Sequence, residues 1–179
     1  MFIDMRQGVR EDWQVIGAEH RVHQKSQAPG QIMDTLRRLE PMQLGFAANQ
    51  LTHSLMTATL ARRDGATAEE IVAALCHDIG KVLSIPNHGP IAAEMLKPYV
   101  NEDIYHAIYW HQEFQGEYYY EFLGKAADRE RFRNEPWFAM AEKLVDRWDA
   151  PAFDPEFKID SLESFEPEVV QVFSNPKRM

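Results

Sequence analysis

The chain has 179 residues, of which 45% are hydrophobic, which is enough for one sizeable core, so we expect a single domain across residues 1–179. Its formal net charge of −9, with Lys and Arg scattered along the chain, argues against nucleic acid and anionic membrane surfaces as partners. The lone Cys76 excludes an internal disulfide, and the chain has neither a secretory signal nor 18 uninterrupted apolar residues, so we expect a cytoplasmic protein.

Helical periodicity dominates the chain, and the alternation typical of strands is missing. Pro41 closes the first predicted helix, and Asn101 caps a later one. Thr67 and Glu70 form a capping box that starts the helix leading to residues 77 and 78. The predicted helices cover residues 31–40, 49–63, 68–80, 90–97, 101–112 and 137–149.

The two ends of the chain lack the regular helical pattern of its central part. Residues 1–30 are assigned to an N-terminal extension whose role the sequence does not indicate. Residues 150–179 contain several prolines and regularly placed phenylalanines, which predicts an extended tail packed on the helices with one late helical turn. The whole pattern predicts an all-α bundle of five or six core helices with an extended C-terminal tail.

Helical phase separates the histidines that face the core from those that do not. His53 lies on a helix that is apolar on both sides, so it is expected to be buried. His111 shares a face with Ile104 and Ile108, whereas His106 points to the opposite side. A single histidine on an apolar face is more typical of a hydrogen-bonded core residue than of a metal ligand, so neither position identifies a site alone.

The adjacent pair His77-Asp78 ends an apolar helix, where a buried carboxylate needs a cation or several donors. His88 precedes Pro90 at the mouth of a helix, where it is either a ligand or an ordinary loop residue. In the helix ending near residue 149, Asp149 lies closer to the apolar stripe than Asp146, which is expected to be solvated.

Four imidazoles and two carboxylates on separate helices match what two divalent first-row metal ions require. A carboxylate placed between two metal ions is neutralised, and Asp78 is the natural bridging ligand. The predicted metal ligands are His53, His77, Asp78, His88, His111 and Asp149.

With these residues assembled, the pattern resembles the HD-domain superfamily over roughly residues 45–173. The closer similarity is to the mixed-valent di-iron oxygenases, namely myo-inositol oxygenase and the enzymes that cleave organophosphonates. It rests on the stretches HDIGKVL, IYWHQEF and VDRWD. The resemblance implies two iron ions as an Fe(II)/Fe(III) pair, O2 as co-substrate, and cleavage of a C–P or C–C bond next to a hydroxyl group. It also implies that Lys81 is catalytic and contacts the substrate.

The phosphonate-cleaving enzymes usually carry a Tyr and a Glu shortly before the first histidine, where the Tyr covers an iron. Here that stretch reads Leu44-Gly45-Phe46, so the resemblance does not extend to this gate. The aromatic residues near His111 either wall a pocket or belong to the core, and Tyr109 and Phe114 are the predicted substrate contacts. Lys81 has an alternative interpretation as an ordinary surface lysine.

These observations predict an oxygenase acting on a small, hydroxylated, anionic substrate such as a hydroxylated organophosphonate. The alternative is a metal-dependent phosphohydrolase that uses Mn or Mg to activate water for attack on a phosphoester or nucleotide, because the same ligands suit that chemistry. A non-enzymatic metal-stabilised sensor is a third interpretation. The predicted partner is a small molecule, and the sequence does not indicate an oligomeric state.

Overall fold

The computed structural model describes residues 1–177, and within them the chain is helical with no strand, as predicted. Seven α-helices form the described part of the chain, and the sixth continues without a break as a π-helical segment, Lys143–Asp149. Their bounds are α1 Arg10–Arg37, α2 Gln50–Arg63, α3 Ala68–Cys76, α4 His88–Leu96, α5 Glu102–Tyr119, α6 Phe138–Glu142 and α7 Glu166–Phe173.

Three helices begin where side-chain capping predicts. The Asn49 side chain accepts a hydrogen bond from the backbone N–H of Thr52, and Asn101 accepts one in the same way at the start of α5. Thr67 and Glu70 form the predicted capping box, in which each side chain pairs with the backbone of the other. These caps satisfy backbone N–H groups that have no acceptor within the helix.

The helix α1 is the largest departure from the sequence prediction. It spans Arg10–Arg37 rather than residues 31–40, and Pro29 and Gly30 lie inside it. Proline and glycine normally end a helix, but Pro29 is buried among the core contacts of this helix, and such packing overrides local propensity.

Two further boundaries also differ from the prediction. The helix α5 continues to Tyr119 instead of ending near residue 112. The helix α3 ends at Cys76, and a 3-10 turn over Ile79–Val82 follows, so His77-Asp78 lies at a junction between two kinds of helix.

The core lies between α2, α3, α5 and α6, with α4 packed on α5. The tail does not stay extended, because Leu162–Phe165 forms a 3-10 turn that leads into α7. This helix packs on α1 and α3. The turn and the helix together bury Phe165, Val169 and Phe173, each worth about 1.5–3 kcal/mol of hydrophobic stabilisation. The last two residues of the predicted tail lie outside the described residues.

Among residues 1–177, no helix combines the length and the apolar character that crossing a membrane requires.

Candidate metal centre

Six buried polar side chains converge where five helices meet. Each of the six is no more than 5% exposed, and the structure brings together all of the ligands that the sequence indicated. His53 comes from α2, His77 and Asp78 follow α3, His88 begins α4, His111 lies in α5, and Asp149 ends the π-helical segment after α6.

The first half of this cluster surrounds His53. Its Nε2 atom lies 3.1 Å from Nε2 of His77 and 3.2 Å from Oδ1 of Asp149. Oδ2 of Asp78 is 3.5 Å from the Nε2 atoms of both histidines. Two imidazole nitrogens and two carboxylate oxygens therefore face a common point.

The second half surrounds the other oxygen of Asp78. Its Oδ1 atom lies 3.0 Å from Nε2 of His88 and 3.6 Å from Nε2 of His111. The two imidazole nitrogens are 3.2 Å apart. Because Oδ2 faces the first half and Oδ1 the second, Asp78 is placed to bridge them.

Backbone carbonyls fix the orientation of all four imidazoles. Nδ1 of His53 lies 2.9 Å from the carbonyl oxygen of Ala152. The other three rings make the same contact at 2.7–2.8 Å with the carbonyl three residues earlier in the chain. A carbonyl only accepts hydrogen bonds, so each Nδ1 is the donor and each Nε2 of a neutral ring carries a lone pair.

With all four rings neutral and no cation present, this arrangement leaves lone pairs facing lone pairs. The Oδ1 atoms of Asp78 and Asp149 are buried without a hydrogen-bond partner among the described residues. Stranding such atoms is costly, and a cation in each half of the cluster would satisfy them. The donor set of imidazole nitrogens and carboxylate oxygens fits two divalent transition-metal ions. His53, His77 and Asp149 would hold one, His88 and His111 the other, and Asp78 both.

The close packing of imidazoles and carboxylates in the cluster also shifts their pKa values. Burial alone raises the pKa of both carboxyl groups, but the neighbouring imidazoles outweigh it and hold the pKa of Asp78 and of Asp149 well below the ordinary range. Burial alone lowers the pKa of His77, whereas the charges of Asp78 and Asp149 raise it to about 9. A proton on His77 therefore supplies positive charge to the metal-free cluster, and metal binding displaces it.

Two glycines allow the ligands to approach one another. A Cβ atom on Gly80 would come within 2.8 Å of the Cα atom of His88. A Cβ atom on Gly89 would come within 3.0 Å of the His111 ring. The backbone of α4 can therefore lie directly against both the turn after Asp78 and the fourth imidazole.

The π-helical segment after α6 carries two acidic residues, Asp146 and Asp149, and only Asp149 enters the cluster. Asp149 is fully buried at the end of this segment, whereas Asp146 points away and pairs with Arg129 at 2.9 Å. π-helical turns often occur at functional sites because they reorient a side chain. His106 also lies outside the cluster, where it stacks on Trp137.

A cavity of about 930 Å³ opens beside the six side chains. Its wall is mainly apolar and aromatic and includes Leu44, Phe46, Ile85, Tyr118, Tyr119 and Phe153. The other polar side chains that line it are Lys81, Gln112 and Gln115. Such a mostly apolar pocket with a few converging polar groups is typical of a small-molecule site.

Lys81 is the cation nearest to the centre. Its ammonium group donates hydrogen bonds to Oδ2 of Asp78 and, at 2.6 Å, to Oε1 of Gln50. The side chain is only 12% exposed, so it is not an ordinary surface lysine. It lies where it can meet an anionic group in the cavity.

The two aromatic residues predicted to contact substrate lie elsewhere. Phe114 is fully buried and packs against Phe132, Trp137 and Phe138, while Tyr109 contacts the Trp110 ring. Neither of them lines the cavity. We therefore do not retain them as substrate contacts.

Sequence reasoning missed one polar contact and one aromatic stack at the centre. The amide nitrogen of Gln115 donates to Oδ2 of Asp149 at 2.6 Å. Its position one helical turn after His111 would have placed it on the same face. Phe153 stacks on the ring of His53 with centroids 4.3 Å apart, and Phe46 stacks on Phe153. The sequence pattern carries no signal for this stack, since Phe153 lies 100 residues after His53.

The HD-domain family model matches residues 51–151, more than half of the chain and a range that contains all six clustered side chains. The chain belongs to the HD-domain family. It is also similar to a hydroxymethylphosphonate dioxygenase from Gimesia maris (strain ATCC 29201 / DSM 8797 / 534-30). The two are 26% identical over 155 residues, which cover 69% of this chain and 77% of that relative.

Proposed function

We propose that this HD-domain protein is a dinuclear iron oxygenase that oxidatively cleaves a C–P or C–C bond next to a hydroxyl group. Its substrate would be small and anionic, such as a hydroxylated organophosphonate. The observation that carries the proposal is the carboxylate of Asp78, whose two oxygens face two separate sets of ligands. The name of the Gimesia maris relative supports an oxygenase over other activities of the family.

The centre has the parts that such a reaction needs from the protein. An Fe(II)/Fe(III) pair, when bound, would supply the redox chemistry towards O2. The ligand side chains hold their Nε2 and carboxylate atoms in place before any metal arrives, since backbone carbonyls and Gln115 already orient them.

The remaining cavity residues would bind and shield the substrate. Lys81 would hold an anionic group near the centre, because its ammonium group already lies against Asp78. Phe153 covers the face of His53 and would keep water away from it, and Phe46 stacks on Phe153. The mainly apolar wall lowers the local dielectric constant, which strengthens the interaction between Lys81 and an anion.

Metal content and oxygen consumption test the proposal. Protein produced with ample iron and purified without oxygen should carry about two irons per chain, and partial oxidation should give the EPR signal of a coupled Fe(II)/Fe(III) pair. An oxygen electrode then measures uptake with hydroxymethylphosphonate, myo-inositol and short hydroxy acids, with release of inorganic phosphate as a second readout for phosphonates.

The opposite result would identify the alternative chemistry. Release of phosphate from phosphoesters or nucleotides with Mn or Mg, without oxygen consumption, would make the protein a phosphohydrolase. An Asp78→Asn variant, which lacks the bridging carboxylate, serves as the control for background oxygen uptake and phosphate release in both assays.

A further inference from the structure

The first half of α1 adds no buried residue to the core, although its last turns touch the rest of the protein: Gln24 donates to the Tyr99 hydroxyl, and Lys25 lies beside the same pocket. All of its buried residues fall in the second half, from Ala28 onward, whereas none of residues 10–27 is buried. These 18 residues form a helix of about 27 Å. None of them lines the cavity beside the metal centre.

The exposed half carries the same stripe of residues as the buried half. Positions separated alternately by four and three residues share one helix face and form the seam of a coiled coil. The seam residues of α1 are Glu11, Val15, Ala18, Val22, Lys25, Pro29, Ile32 and Leu36. The last three are buried in the core, whereas Val15 and Val22 are 62% and 65% exposed.

Local propensity does not account for this largely exposed helix. An isolated helix of this length is marginal in water even with good helix formers. Here Gly17 lies at its middle, with the β-branched Val15 and Ile16 beside it, and both residue types disfavour helix. A helix of this composition needs a partner along its apolar seam.

The charges of the seam identify the partner. Glu11 and Lys25 each lie seven residues from Ala18, on opposite sides, and neither has an ion pair within residues 1–177. If two such helices run antiparallel with a two-fold axis at Ala18, each Glu11 faces Lys25 of the second copy. In a parallel pair each Glu11 would face another Glu11, which is repulsive.

We propose that residues 11–25 of α1 pair with the same segment of a second copy to form an antiparallel two-helix dimer. Val15 of each helix then lies close to Val22 of the other, and the small Ala18 lets the two backbones approach at the axis. The interface is isologous, as in most homodimers. None of its residues lines the cavity, so dimerisation is separable from the proposed oxygenase activity.

Light scattering coupled to gel filtration tests the proposal. Loading concentrations should run from about 1 to 200 µM, because so short an interface gives a modest affinity. The full chain should approach twice its 20.8 kDa mass as its concentration rises. A Val15→Glu/Val22→Glu variant should remain monomeric throughout. The matched control is His23→Glu/Gln27→Glu, which adds the same two acidic residues on the opposite face of α1 and should dimerise like the unmodified chain.

A charge exchange tests the antiparallel direction. Either Glu11→Lys or Lys25→Glu alone should raise the dimer dissociation constant about tenfold, because two attractive pairs become repulsive. The double variant Glu11→Lys/Lys25→Glu should restore the affinity. A monomer at every concentration, or a double variant weaker than either single one, would overturn the proposal. All variants should keep the metal content of the unmodified protein.

Discussion

Each buried imidazole of the metal centre is oriented by a hydrogen bond from its Nδ1 atom to a backbone carbonyl. For His77, His88 and His111 the acceptor lies three residues earlier in the same turn of chain. His53 instead donates to Ala152, which is 99 residues away. Three ligand orientations are therefore local properties of the sequence, and the fourth depends on the complete fold.

The bridging position of Asp78 makes it the residue on which both halves of the centre depend. Replacing it with Asn should remove most bound metal from both halves, since an amide neither neutralises nor bridges two cations. Elemental analysis of the purified variant measures the loss. The matched control is Asp146→Asn in the π-helical segment after α6, where Asp146 pairs with Arg129 outside the centre, and it should leave the metal content unchanged. Two metals retained by the Asp78 variant would contradict the assignment.

Lys81 provides a second prediction at this scale. Because its ammonium group is partly buried next to the centre, Lys81→Met should raise KM for an anionic substrate by about 10–100-fold, with a smaller effect on kcat. Lys81→Arg should recover part of the affinity. Steady-state oxygen uptake measures both constants, and Lys97→Met, which removes an exposed lysine paired with Glu94, is the control. An unchanged KM would mean that Lys81 does not contact the substrate.

At the scale of the helices, capping signals are the most informative part of the sequence. The starts of α2, α3 and α5 follow from Asn49, Thr67 and Asn101, because each cap is a local hydrogen bond. The course of α1 through Pro29 was not predictable in this way, since tertiary packing of its second half offsets the cost of a helical proline.

The direction of side chains around a helix could also be predicted only where the helix is regular. The 100° rotation per residue placed His111 inward and His106 outward, as the structure has them. Asp149 also lies inward, but it lies in a π-helical segment that the sequence pattern did not predict. Helix periodicity could not place Phe46 and Phe153 beside the cavity, because both residues lie in loops.

The cap of α3 predicts a measurable loss of stability. Thr67→Ala should lower the free energy of unfolding by about 1 kcal/mol in urea titrations, because the N–H of Glu70 loses its acceptor. Thr35→Ala, which removes a hydroxyl bonded only to the Gln31 carbonyl in the last turns of α1, is the comparison and should have a smaller effect. Equal losses in the two variants would contradict a specific role for the cap.

Glu70 adds a pH dependence to this cap. Burial alone raises its pKa, but the hydrogen bonds from Lys143 and Thr67 outweigh burial and lower the pKa below the ordinary 4.5. A depressed pKa in the folded state stabilises the protein above pH 4.5 and loses that contribution as the pH falls through the folded pKa. The stability difference between the unmodified chain and Glu70→Gln should therefore shrink on acidification. Urea titrations at pH 7, 4.5 and 3 measure it, and a difference that stays constant down to pH 3 would contradict the assignment.

The contact between the turn after Asp78 and α4 is tested by adding one methyl group. Gly80→Ala should displace the backbone of His88, lower the free energy of unfolding by about 1–3 kcal/mol and reduce metal content. Gly30→Ala is the control, because a Cβ atom at Gly30 meets no neighbour within 4 Å and alanine favours helix. Thermal unfolding and elemental analysis distinguish the two variants. Normal metal content in Gly80→Ala would show that this contact does not position His88.

At the scale of the whole molecule, the metal ligands come from five helices or from the turns next to them. Bound metal should therefore stabilise the complete fold, because the unfolded chain cannot present six ligands at once. Chelation should lower Tm, and the cost is about 2.7 kcal/mol for each ion present at 100 times its Kd. Calorimetry with and without chelator measures the shift, and the Asp78→Asn variant should show little of it. Equal Tm values for the metal-loaded and chelated protein would argue against this coupling.

Membership of the HD-domain family and the all-α bundle could be predicted from the sequence, because the HD pair, the helix caps and the helical periodicity are all local patterns. The single-domain organisation, the small-molecule partner and the cytoplasmic location stay predictions. The cavity walls could not be predicted, since they combine loops, α5 and the segment after Asp149.

The hydrogen bond from His53 to Ala152 connects metal loading to the chain that follows the last ligand helix. Phe153, the next residue, covers the same imidazole. Any change that loosens the segment around Ala152 and Phe153 also frees the imidazole of His53. By reciprocity, a metal-loaded centre holds this segment in place. Protease digestion of the C-terminal thirty residues should therefore slow when metal is bound, so that cleavage reports how much of the protein is in its metal-loaded form.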